Sequence, residues 1–215
     1  MAEQWIIGFV VDIAKLNGVI GGDKTVVDIV EAAGGIDEKF EDPSVVEQAL
    51  SEIVAGTLDE GYAQPYRHVV ELIATAVGVR FYDEIHLQNW GLPDRSSWNP
   101  TLEAIGLSRL ASCWGTNSSF PWNDGKYRVS WPLMTQIEVK QVTDIASEFK
   151  AFDRRGALPL ALARLPVDLL SEYDDEEEAH SAREQLSKSL TTLKSWVDDA
   201  VAKELDLLLL TVGGQ

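Results

Sequence analysis

Each end of the chain carries a strand that is apolar on both faces. Residues 5–11, WIIGFVV, are β-branched, aromatic or small at every position, and residues 205–212, LDLLLLTV, are dominated by leucine in both alternating sets. A strand with one solvated face alternates apolar and polar, so a strand apolar on both faces has to be covered from two sides. The two ends therefore belong side by side inside one sheet, and the intervening chain has to provide helices that pack over it.

Several segments have the period for that. Asp12 ends the first strand, and Ile13, Leu16 and Ile20 follow at helical spacing, up to a break at Gly21 and Gly22. Asp23 is placed to cap a second helix whose inner face is Val26, Val27, Val30 and Ala33, stopped by Gly34 and Gly35. Ser44 and Glu47 have capping-box spacing just after Pro43, and Val46, Leu50, Ile53 and Val54 supply the apolar face of a third helix ending at Gly56. From Pro65, the series Tyr66, Val69, Val70, Ile73, Ala74 and Val77 predicts a fourth, closed by Gly78.

The longest period lies near the C-terminus. Ala179, Ala182, Leu186, Leu190, Leu193, Val197 and Ala200 recur at intervals of three and four, which predicts one amphipathic helix over 174–203. The acidic run Asp174 to Glu178 then occupies its first turn, where unpaired amides and the helix dipole favour negative charge. That placement explains the run without assigning it a function.

Residues 82–134 are less regular and hold five of the seven tryptophans. A short helix is expected in TLEAIGLSRL, a hairpin turn at Asn123, Asp124 and Gly125, a strand over 134–141 and a helix from about Val142 to Phe152. Helices and strands in this irregular order indicate an α+β fold. We expect a small mixed sheet containing the N- and C-terminal strands, packed against several helices including the long C-terminal one, in a single globular domain over 1–215.

The stretch GVIGGDKT, residues 18–25, approaches the phosphate loop G-x-x-x-x-G-K-[ST]. Gly18, Lys24 and Thr25 match, but Asp23 stands where the second glycine belongs. Its carboxylate would sit beside the phosphates, and a helix rather than a strand precedes the loop. The stretch reads instead as a helix stop followed by an Asp23 cap, and no nucleotide or other cofactor is expected.

Charge narrows the partners. Thirty-five acidic against eighteen basic residues give a formal net charge of −17. That argues against nucleic acid and anionic membranes as partners and favours a basic protein, which the field would steer in. No apolar run is long enough to span a bilayer. The opening MAEQWIIGFVVD lacks the basic region and cleavage site of a secretory signal, so a cytoplasmic location is expected. One cysteine, Cys113, forms no internal disulfide, and with three histidines a structural metal site is not expected.

Two groups of residues stand out as candidate sites. Aromatic side chains among turn residues can form a stacking platform or a partner hot spot, and Trp98, Trp122, Asp124 and Tyr127 are the candidates for exposed ligand or partner contacts. Trp5 and Trp196 are expected in the core. Asp83, Glu84 and His86 lie close in sequence, and a helix over 82–90 would put Asp83 and His86 on one face with His68 able to join them. A histidine at the edge of the core explains His86 equally well, and His180 beside the acidic run reads as solvated. No nucleophile and base have a recognisable local signature, so no catalytic residue is assigned.

Asp12, Ile13 and Leu16 after the opening strand, then Ile20, Gly21, Gly22 and Asp23, then Gly61, Tyr62 and Ala63, and a long helix running into LDLLLLTVGGQ form a recognisable order. It resembles an uncharacterised bacterial family of α+β proteins of about this length, known only as a domain of unknown function. The resemblance implies the fold and no activity. Three readings of function follow: a non-enzymatic acidic protein-binding module of immunity or antitoxin type, a small-ligand binder or enzyme using the Trp-rich segment, or a mimic of nucleic acid.

Overall fold

A computed structural model describes residues 4–19, 28, 43–57, 63–86, 98–113, 134–155, 158–170 and 175–213. The two terminal strands sit together at the centre of a sheet. β1 (Gln4–Val11) runs antiparallel to β5 (Asp206–Gly213) along its whole length, from Gln4 opposite Gly213 to Val11 opposite Asp206. β4 (Met134–Ile137) pairs with the other side of β5, while β2 (Gly78–Arg80) and β3 (Ile85–His86) share the far edge of β1. The order is β2-β1-β5-β4, with β3 also on β1. Every recorded pairing is antiparallel, not mixed as expected. β5 is inserted between β1 and β4, so these two strands of like direction never touch.

Alternation along the strands divides the core in two. Ile7, Phe9 and Val11 of β1, Leu208 and Leu210 of β5 and Met134 of β4 face one layer of helices, made of α1 (Ile13–Gly18), α2 (Pro43–Ala55) and α3 (Ala63–Val77). Ile6 and Val10, Leu207 and Leu209, and Ile137 face the other. That second layer contains α4 (Trp98–Ala104), α5 (Ser108–Cys113), α6 (Val139–Arg155), α7 (Leu158–Ala163) and α8 (Glu176–Lys203). Burying a leucine or isoleucine contributes roughly 1.5–3 kcal/mol, so Leu207 to Leu210, at most 3% exposed, tie both layers to one strand.

Helix ends follow local chemistry where the cap is local. Asp12 accepts from the Lys15 amide at 3.0 Å and starts α1. Asp175 accepts from the Glu177 and Glu178 amides and starts α8, with Glu176 to Glu178 in the first turn as expected. Gly56, at φ 67°, ends α2. α2 itself begins at Pro43, which lacks the amide a first helical residue leaves unpaired, so Ser44 lies inside the first turn rather than capping it.

Elsewhere distant residues set the boundaries. α6 starts at Val139 rather than Val142, because Asp206 of β5 accepts from the Val139 amide at 2.7 Å. β4 stops correspondingly early, at Ile137. The TLEAIGLSRL segment breaks into the end of α4 and the start of α5 at Gly106, whose φ is 87°. Ile85 and His86 form β3 rather than the helix over 82–90 that would have put Asp83 and His86 on one face, because Ile85 pairs with Ile6 on the free edge of β1. The Asp23 cap, its helix apart from Asp28, and residues 20–25 of the phosphate-loop near-match lie outside the described residues.

Candidate functional site

Of the aromatic candidates, Trp98 is the first residue of α4, whereas Trp122, Asp124 and Tyr127, with the expected Asn123 to Gly125 turn, lie outside the described residues. Trp196 is buried as expected, at 2% exposure, but Trp5 is only half-buried against the α1–α3 side of the core. The Asp83, Glu84 and His86 group is not assembled on a helix. Asp83 is exposed and Glu84 is committed to Arg80 at 3.2 Å. His68 lies half-buried on α3, and His180 is exposed with Glu184 3.7 Å away. Among the described residues no three His, Cys, Asp or Glu side chains converge on a metal-binding position.

What the structure does build is a polar cleft of about 380 Å³ between α8 and the β3 edge. Its helical wall carries Ser181, Glu184, Gln185, Lys188, Ser189 and Thr192, and Glu84 and Ile85 stand opposite. The strand wall is held in place by neighbouring contacts. Arg80 bridges Glu71 of α3 at 2.7 Å and Glu84 at 3.2 Å, closing the connection from β2 to β3. Within that connection the Phe81 amide donates to the Gly8 carbonyl at 3.0 Å, and the Phe81 ring stacks on Trp196 of α8 with centroids 5.3 Å apart. Sequence reading passed over this cleft. Its signal was a hydroxyl residue, Ser189, standing in an otherwise apolar helical stripe.

A second, less polar cleft of about 540 Å³ lies between the α4–α5 turn, α6 and α7, and Phe152 and Leu160 contribute apolar surface to it. Glu148 at its margin accepts from the Arg109 amide at 3.0 and 3.2 Å, and the Arg109 guanidinium meets Asp144 at 2.9 Å. These bonds pin α5 to α6. Cys113, at the end of α5, is buried, and burial pushes its thiol up from the ordinary value. Glu148 adds to the rise, while the Ser112 hydroxyl and Arg109 oppose it. A buried, protonated thiol is a poor nucleophile.

The outer surface is dominated by carboxylates. Lys15, Arg80, Arg109, Arg183, Lys194 and Lys203 each have a carboxylate within 4 Å. Glu47, Asp83, Glu103, Asp168 and Glu177 are exposed and enter no ion pair recorded among the described residues. No described helix is long and apolar enough to cross a membrane. Comparison with protein-family models, with curated proteins and with solved structures finds no match to this chain.

Proposed function

We propose that this chain is a non-enzymatic, cytoplasmic binding protein of immunity or antitoxin type, and that its partner is a basic protein. One observation carries the reading: a formal charge of −17 reflects thirty-five acidic against eighteen basic residues, and Glu47, Asp83, Glu103, Asp168 and Glu177 stand exposed and enter no recorded ion pair among the described residues. A field of this sign accelerates encounter with a positively charged protein and repels nucleic acid and anionic lipid.

The test is capture of partners from the source cell at low salt, then titration of the purified pair between about 0.05 and about 0.5 M salt, over which the Debye length shrinks severalfold. A basic partner is expected, with affinity that falls steeply as salt rises. Single reversals to lysine at the five unpaired carboxylates would locate the face, because only those at the interface change the association rate. Salt-independent binding, or a partner indifferent to all five reversals, would count against the reading.

A further inference from the structure

The connection from β2 to β3 leaves the edge of β1 and returns to it. Phe81 is held on β1 by the bond from its amide to the Gly8 carbonyl at 3.0 Å, and Ile85 is paired with Ile6. Between these two points β1 has one residue, Ile7, whereas the connection has three, Tyr82, Asp83 and Glu84. The surplus has to arch away from the strand, and irregularities of this kind re-aim side chains. Here the arch holds Tyr82 wholly in solvent, at 101% exposure, and Asp83 is exposed beside it.

Both feet of the arch are fixed. Phe81 stacks on Trp196 of α8 with centroids 5.3 Å apart, and Ile85 is buried. Arg80 reaches across the arch to Glu84 at 3.2 Å while it meets Glu71 of α3 at 2.7 Å. The backbone that carries Tyr82 is therefore set before any partner arrives, which lowers the ordering cost of binding. A ring so fully exposed adds no packing to the fold, and Val79 on the same edge is a second exposed apolar side chain, at 52%. Tyrosine is among the residues that most often anchor protein interfaces.

Charge selects the occupant. One guanidinium, Arg80, serves two carboxylates, Glu71 and Glu84, and Asp83 adds a third that enters no ion pair recorded among the described residues. Negative charge around an exposed ring favours a cation, whereas a second copy of this chain, itself at −17, is repelled. A planar guanidinium can lie on an aromatic face and donate to a neighbouring carboxylate at the same time, which a compact ammonium does less well.

We propose that the arch over residues 82–84 is the contact by which this chain holds its basic protein partner, an arginine of the partner stacking on the Tyr82 ring and pairing with Asp83. The inference rests on the reading of the partner as basic and adds where, and by which residue type, it is held.

Titration of the full chain with hexa-arginine and hexalysine peptides at low salt, followed by amide chemical shifts, tests it. The largest shifts are expected at Tyr82, Asp83 and Glu84, and hexa-arginine should bind more tightly than hexalysine. Tyr82→Phe keeps the ring and should keep the affinity, while Tyr82→Ser should weaken hexa-arginine about two- to fivefold. Asp83→Asn should weaken it more than Glu103→Gln, which removes the same charge on α4. None of these exposed substitutions should move the urea midpoint. Binding centred elsewhere, equal affinity for the two peptides, or an unchanged affinity in Tyr82→Ser overturns the arch as the contact and leaves the basic-partner reading standing. Failure of both peptides to bind at low salt overturns the two together.

Discussion

Gly8 of β1 and Trp196 of α8 are packed so closely that a Cβ on Gly8 would stand 2.6 Å from Trp196 Cε3. The missing side chain lets the indole lie flat on the strand, where it also stacks on Phe81 with ring planes 10° apart. Substitution Gly8→Ala should therefore cost about 1–3 kcal/mol by overpacking, although alanine suits a strand better than glycine. Urea denaturation followed by tryptophan fluorescence measures it, and pairing the substitution with Trp196→Leu should remove most of the penalty. An equal penalty in both backgrounds would place the strain elsewhere.

A second prediction concerns pH. Burial holds the Cys113 thiol protonated beyond the pH at which the unfolded thiol, with a pKa of about 8.5, begins to ionise. Above that pH the native state binds more protons than the unfolded state, so stability falls as pH rises and levels off once the native thiol has also ionised. Cys113→Ala lacks this loss. The stability gap between the wild type and Cys113→Ala should therefore narrow as pH rises from about 8 to about 10, read from urea midpoints at matched pH. Parallel curves for the two proteins would contradict it.

These features differ in how visible they are in the sequence. The central strands and α8 were legible because their burial is written in period: WIIGFVV and LDLLLLTV have no polar face, and Ala179 to Ala200 keep a helical step. β2 and β3 were not, because three and two residues carry no period and form strands only by pairing with the free edge of β1. α7, LPLALA, was missed because it is apolar on nearly every side. The cleft depends on both kinds of information. Ser189 is visible as an irregularity in α8, but the strand wall that gives it meaning is placed by Arg80, Phe81 and the Ile6 to Ile85 pairing, which no local pattern encodes.

The Asp206 carboxylate is the clearest case of a long-range determinant. One oxygen accepts from the Ile13 amide at 3.0 Å and the other from the Val139 amide at 2.7 Å. These amides open α1 and α6, helices whose buried residues pack on opposite faces of the sheet. Loss of a helix cap typically costs about 1 kcal/mol, so Asp206→Ala should lower stability by about 2 kcal/mol, and Asp206→Asn, with a single acceptor oxygen, by about half as much. Hydrogen exchange discriminates this dual role from a general weakening of β5. In Asp206→Ala, protection at Ile13 and Val139 should fall together while Leu208 and Leu209 at the centre of β5 keep most of theirs. If only one of the two helices loosened, the carboxylate would be an ordinary cap for that helix, and the coupling of the two layers would have to come from the leucines alone.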